Sequence, residues 1–267
     1  MRSATQPVTP RRVNVLGVGV SVLNLRTAVE TLTDAAGQRR KGYVCVSNVH
    51  VLVEAQYNPA YKRVLNRAFL VTPDGMPLVW AGRLAGYREM GRVYGPELML
   101  AVFEATRTTG QTHFLYGGMP GVAEDLKNRL EARFPGVRIV GTGCPPFRPL
   151  NAHEEMELEA QVRAARPDFF WTSISTPKQD LFNAALLPRL DTALMIGVGA
   201  AFDFHTGRVA QAPRWIQRSG FEWLYRLCRE PRRLWKRYLT VNPVFLALVL
   251  CQITGLKKFT LDDSPHM

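Results

Sequence analysis

Apolar and polar positions along the chain alternate between two periods. Short runs rich in Val, Ile, Phe and Tyr occur at residues 13–16, 43–47, 69–72, 112–116, 137–141, 168–173 and 193–198, and each reads as a buried strand. Between them, apolar residues recur three or four apart, as in Leu98, Val102 and Ala105, or Val122, Leu126, Leu130 and Phe134, which is a helical period. Gly110 and Pro135-Gly136 close helices, and Asn151 with Glu154 three positions on forms a capping-box pattern. The alternation predicts an α/β fold with a mostly parallel sheet and helices on both faces.

After Gly207 the pattern changes. Leu224, Leu227, Leu234, Trp235 and Tyr238 form an apolar helical stripe broken at Pro231, with arginines and Lys236 at the other positions. Three regions result: a disordered lead-in over 1–12, an α/β core over 13–207 and a small basic helical appendage over 208–267. The apolar segment 244–250 begins after Pro243. It is shorter than the roughly 20 residues of a membrane span and reads as a surface-lying or docking segment.

Charge sharpens the division. The 267 residues carry 34 basic and 22 acidic side chains, a net +12, which points to a polyanionic partner such as nucleic acid, anionic lipid or a phosphorylated substrate. Nine basic and two acidic residues fall between 208 and 240, so the partner surface is placed at the C-terminal end. Hydrophobic residues at 46% and charged residues at 21% fit a folded chain and exclude a disordered or multi-span one. Four scattered cysteines make no CxxC or Cys/His set, so neither a zinc site nor a disulfide scaffold is expected and a reducing cytoplasm is. The polar start, with its two prolines before Arg11, is not read as a signal peptide.

Candidate chemistry sits where strands end, because ligands of open α/β sheets collect at the carboxyl edge. Gly17-Val-Gly19-Val-Ser21 lacks the third glycine of a dinucleotide fingerprint and reads as a tight strand exit or a phosphate cradle. Asp74, in Pro73-Asp74-Gly75, is a base or a cap for the helix from Gly75; Asn48 is a cap or a substrate contact. Arg92 suits a diphosphate, since its planar guanidinium binds oxygen pairs. Ser175-Thr176-Pro177-Lys178-Gln179 reads as a helix start with a hydroxyl cap and proline first, offering free amides to an anion. Gly197-Val-Gly199-Ala-Ala-Phe-Asp203 closes the last strand with glycines and a carboxylate. No DxD, Walker loop or GxSxG occurs, so a diphosphate would be neutralised by Arg, Lys and helix termini, without a metal or other cofactor.

Taken as an ordered set, Pro73-Asp74-Gly75, Arg92-Val-Tyr-Gly95, Gly117-Gly118-Met-Pro-Gly121, Thr176-Pro-Lys-Gln179, Gly197-Val-Gly-Ala-Ala-Phe-Asp203 and Glu222-Trp-Leu-Tyr-Arg226 with Glu230-Pro231 resemble the WecG/TagA/CpsF glycosyltransferases. The resemblance implies a Rossmann-like, GT-E-type core and an appendage that completes the site at the membrane. It implies an inverting transferase moving a hexose, of glucose or N-acetylmannosamine type, from a UDP-sugar donor to an undecaprenyl-diphosphate-linked sugar acceptor. Such enzymes build exopolysaccharide, capsule or teichoic acid, and the place implied is the cytoplasmic face of the inner membrane, bound peripherally. By position Asp74 would be the base and Arg92 the second catalytic residue, in the region of the diphosphate with Gln179, while Asn48, Lys178 and Gly118 would be substrate contacts. Asp203 would sit near the nucleoside, and Arg226, Arg233 and Lys236 where appendage cations approach the diphosphates. Glu97, Ser175, Asp180 and the Gly199-Ala200 pair depart from the family pattern, and the changes near Ser175 suggest an exopolysaccharide branch with glucosyl transfer. A homo-oligomer stays open. The rival is a basic nucleic-acid-binding α/β protein, against which the absence of RNP, KH and zinc motifs counts; a nucleotide-dependent oxidoreductase rests on the defective glycine fingerprint alone.

Overall fold

The structure is a computed structural model and describes residues 10–261, except the side chains of Arg214, Arg218, Arg233 and Arg237. Residues 1–9 of the expected lead-in lie outside the described residues. Arg12, its last residue, is already in strand: β1 (Arg12–Val15) and β2 (Val18–Ser21) form an antiparallel hairpin. The Arg12 guanidinium donates to the carbonyls of Asn66 and Ala68, which ties the hairpin to the core.

Of the two readings of Gly17-Val-Gly19-Val-Ser21, the tight strand exit is the one seen: the chain leaves β1 through a turn that opens a second strand. Leu16 and Gly17, at φ 56° and 76°, make the two-residue turn, a left-handed pair whose twist matches the flanking strands. The turn leads into β2, a strand that the apolar runs alone do not predict because its glycine imitates a fingerprint.

The other strands are β3 (Gly42–Ser47), β4 (Leu70–Pro73), β5 (Thr112–Gly117), β6 (Arg138–Gly143), β7 (Phe169–Ser173) and β8 (Leu194–Gly197). They form one parallel sheet in the order β4-β3-β8-β7-β5-β6. Every carboxyl end thus lies on one edge: Ser47, Pro73, Gly117, Gly143, Ser173 and Gly197.

Helices cover both faces, because the strand side chains alternate between two buried clusters. One face holds Val44, Val46, Leu115, Trp171 and Ile196 under α1 (Leu25–Gly37), α5 (Gly95–Thr106), α6 (Val122–Arg133) and α9 (Ala201–His205). The other holds Tyr43, Cys45, Phe114, Phe170 and Met195. It is covered by the hairpin, α2 (Val49–Tyr57), α3 (Pro59–Arg67), α4 (Met76–Leu84), α7 (Ala152–Ala165) and α8 (Lys178–Leu186). The capping box at α7 is present as read, Asn151 accepting from Glu154 N and Glu154 from Asn151 N.

Beyond Gly207 the chain is helical: α10 (Arg214–Ser219), α11 (Glu222–Arg229) and α12 (Pro231–Ile253). Pro231 separates α11 from α12 as the broken stripe predicted. Pro243 does not begin a new segment; α12 runs through it, and Leu234–Ile253 makes 20 residues apolar and long enough to cross a membrane by length and composition. The short apolar segment expected after Pro243 is the second half of this helix. Its inner side meets the core: Phe245 is buried among the residues under α2, a side chain whose burial contributes about 2 kcal/mol. Gln252 accepts from Leu16 N at 2.8 Å and donates to Asn14 O at 2.9 Å, so the end of α12 is pinned to the hairpin turn. Its outer side exposes Trp235, Leu239, Leu246, Leu250 and Ile253.

Candidate active site

Above the carboxyl edge lies a cavity of about 1650 Å³, open to solvent and lined by the ends of β3, β4, β5, β7 and β8 together with α4, α8, α11 and α12. Drug-sized ligands fill pockets of roughly 300–1,000 Å³, so this one has room for two substrates together. Asn48, Asp74, Arg92, Gly118, Lys178, Gln179, Asp203 and Arg226 all line it. Lys236 does not; its ammonium lies 5.6 Å from the Trp235 ring. The side chain of Arg233 lies outside the described residues.

Asp74 follows β4 directly. It does not cap the helix after Gly75: the N-cap of α4 is Gly75, with no side-chain bond. Its Oδ1 instead accepts from the amide of Gly95, 21 residues on at the start of α5, at 3.2 Å. Asn48 serves both expectations by halves. Its Oδ1 caps α2, accepting from His50 N and Val51 N, while Nδ2 points at Asp74 Oδ2 at 3.5 Å. One carboxylate oxygen is thus anchored on backbone and the other is held loosely beside the cavity. Burial is the largest influence on Asp74 and raises its pKa above the ordinary carboxylate value; Arg92, the Gly95 amide, Asn48 and Arg226 each pull it back. A carboxylate destabilised by desolvation is a stronger base than a solvated one.

Arg92 is committed to protein acceptors. Its Nε donates to Asp74 O at 2.8 Å, Nη1 to Gln217 O and Oε1 at 3.2 and 3.4 Å, and Nη2 to Glu222 Oε2. Its guanidinium also lies 4.1 Å from the Tyr94 ring centroid. The side chain that reads as a diphosphate clamp therefore fastens the α10 and α11 region to the strand that carries Asp74. Glu222 is the residue that sequence reasoning passed over. It sits within a quoted motif, and its signal is plain: it is one of two acids in a stretch with nine bases. Burial raises its pKa, Arg92 opposes the rise and Asp74 adds to it. Arg226, one turn further along α11, lines the cavity close enough to lower the pKa of both Asp74 and Glu222.

The segment before α8 differs from the expected helix start. Pro177 is the N-cap, without a side-chain bond, and Lys178 is the first helical residue, since Ser175 takes a left-handed φ of 71° and points the chain away from a hydroxyl cap. Lys178 is exposed on the cavity wall. Gln179, 1% exposed, donates to Thr176 Oγ1 at 3.1 Å and accepts from Gly199 N at 3.0 Å. It joins the loops after β7 and β8. Asp203 lies in the first turn of α9. Gly118, at φ 76°, follows Gly117, where a Cβ would meet Ser173 O at 2.4 Å; the chain crosses close against β7 because Gly117 lacks a side chain, while a Cβ on Gly118 would meet Val122 of α6 at 2.8 Å. Among the described residues, no three His, Cys, Asp or Glu side chains are grouped to hold a metal ion.

Comparison with known proteins identifies the family. Residues 13–259 match the model of the glycosyl transferase WecG/TagA/CpsF family. A curated relative from Bacillus spizizenii, named N-acetylglucosaminyldiphosphoundecaprenol N-acetyl-beta-D-mannosaminyltransferase, is 28% identical over 213 residues, covering 80% of each chain. A protein of the same name from Bacillus subtilis is 26% identical over 222 residues, covering 83% of this chain and 84% of its own. The match spans hairpin, sheet and appendage alike, and the chain belongs to the WecG/TagA/CpsF family of glycosyltransferases.

Proposed function

We propose that the protein transfers an N-acetylmannosamine-type hexose from its UDP donor to the sugar of a lipid-linked diphosphate, with inversion at the anomeric carbon. The observation that carries the reading is Asp74, a desolvated carboxylate with one oxygen fixed on Gly95 N and the other beside a cavity with room for both substrates. Asp74 takes the proton of the acceptor hydroxyl. The acceptor oxygen attacks the anomeric carbon from the face opposite the diphosphate, the bond to the diphosphate oxygen breaks, and UDP departs with the electron pair.

Positive charge builds on the sugar and negative charge on the leaving diphosphate in such a step. Lys178 and Arg226, both on the cavity wall, are placed to neutralise the leaving group before the reaction begins. The relatives' names support the mannosaminyl donor and an N-acetylglucosaminyl diphospholipid acceptor; they lend nothing to the glucosyl or exopolysaccharide expectation. Approach to the acceptor would be from the membrane surface. The exposed side of α12, with Trp235, Leu239, Leu246, Leu250 and Ile253, suits a helix lying in an interface, while the Gln252 bonds hold that helix to the core.

Incubation with radiolabelled UDP-N-acetylmannosamine and an N-acetylglucosaminyl diphospholipid should move label into the lipid phase, faster than with UDP-glucose. Absence of transfer from either donor would overturn the proposal.

A further inference from the structure

The cavity changes character along its length. Around Asp74 the wall is polar, with Asn48, Arg92 and Arg226; elsewhere it runs between two helices that supply large apolar side chains. Trp80 and Leu84, four apart, line it from α4. Val241, Phe245 and Val249, spaced four apart on the inner side of α12, line it too, with Leu246 beside them. The roof is closely fitted: a Cβ on Gly220, in the turn between α10 and α11, would stand 2.8 Å from Trp80 Cη2, so only glycine admits the indole there.

Leu84 is 76% and Leu246 60% exposed although both line the cavity, so its apolar lining reaches the protein surface on both helices. Leu250 and Ile253 continue the exposed apolar surface along α12 beyond Leu246. Small polar substrates have no use for such a wall, and an exposed apolar strip continuous with a pocket marks a binding surface for apolar matter. One cavity thus holds both the Asp74 carboxylate and an apolar lining that extends to the surface.

We infer that this groove between α4 and α12 holds the first isoprene units of the acceptor's polyprenyl chain. The acceptor sugar then lies at Asp74, and the remaining chain leaves past Leu84 and Leu246. The inference rests on the lipid-linked acceptor proposed above. It assigns α12 a substrate-binding role in addition to any contact with the bilayer.

Two acceptors test it: N-acetylglucosaminyl diphosphate on a long polyprenyl chain, and the same headgroup on a short soluble alkyl chain. Ala81→Trp, which places an indole from α4 into the groove, should raise KM for the polyprenyl acceptor roughly tenfold or more, since contact with several carbons is lost. KM for the short acceptor and for the donor should stay within about twofold. Leu246→Trp, at an exposed position of the same lining, should give the same split, so the test stands if Ala81→Trp fails the thermal-unfolding check. Equal effects on both acceptors, or on neither, overturn the inference. A diazirine-bearing farnesyl diphosphate gives a readout apart from turnover: in the wild-type protein its label should fall on peptides from 76–84 and 231–253, and labelling elsewhere is contrary. If the wild type turns over neither acceptor, the transfer reading fails while the photolabel still decides the groove.

Discussion

Glu222→Ala tests how the C-terminal helices are seated on the site. In the wild type the Arg92 and Glu222 side chains are 12% and 18% exposed, so their pair lies largely outside water. Solvent-exposed pairs contribute about 0–1 kcal/mol, whereas removing one partner of a buried pair costs about 3–5 kcal/mol because the other charge is stranded. Arg92 keeps neutral partners after the change, Gln217 O and Oε1 and Asp74 O, which places the expected loss at about 2–3 kcal/mol. That loss falls on the docking of α10 and α11, since the sheet does not depend on the pair. At about 1.4 kcal/mol per factor of ten, transient opening of this region should become roughly 30- to 150-fold more frequent. Amide hydrogen exchange, under conditions where opening and closing are fast compared with chemical exchange, should report that acceleration in 214–229 while β3, β7 and β8 keep their protection. Glu222→Gln, which retains an acceptor for Arg92, should fall between. Transfer activity should decline in the same order, because Arg226 rides on α11 one turn from Glu222. Unchanged exchange in 214–229, or equal acceleration in the central strands, would refute the reasoning.

Other consequences arise from the same packing. Asp180, buried with its carboxylate accepting from Tyr61 OH at 2.6 Å, has its pKa raised to about 6 by burial. A raised carboxyl pKa lets the folded state keep a proton that the unfolded chain has already lost, so stability falls between the ordinary carboxylate value and the raised one, from about pH 4 to about pH 6, by about 3 kcal/mol in all; urea unfolding from pH 4 to 7 should show wild type losing stability relative to Asp180→Asn, and parallel curves would contradict this. Gly117→Ala, whose Cβ would lie 2.4 Å from Ser173 O at a φ of 140°, should destabilise by about 3 kcal/mol or leave the protein insoluble, and a melting temperature within about 2 °C of wild type is the contrary result. EDTA should leave the transfer rate within about twofold, whereas loss restored by a divalent cation would show that a metal carries the leaving group.

Much of the fold was legible because its periodicities are strong: seven of the eight strands lie where short β-branched or aromatic runs occur. β2 was not, because Val18-Gly-Val-Ser21 has a residue pattern shared by hairpins and nucleotide loops, and only the left-handed pair at Leu16 and Gly17 decides between them. α12 extended through Pro243 because a proline inside a helix forfeits one hydrogen bond, a cost that packing of Phe245 and Val241 on the core offsets. At the site, the residues of the ordered motifs converge on one cavity, yet their local roles depend on distant partners. Asp74 finds Gly95, Arg92 finds Gln217 and Glu222 across 125 and 130 positions, and Gln179 finds Gly199. Such pairings leave no periodic trace, which is why the partners that Arg92 meets in Asp74, Gln217 and Glu222 could not be read from the sequence.

The most direct test of the account is Asp74→Asn in the radiolabel transfer assay, paired with thermal unfolding near neutral pH. The substitution keeps an oxygen for Gly95 N and removes a buried charge, so the protein should melt no lower than wild type while kcat falls by about 10²–10⁴. Transfer at a near-normal rate by a fully folded Asp74→Asn protein would contradict the claim that this carboxylate takes the acceptor's proton.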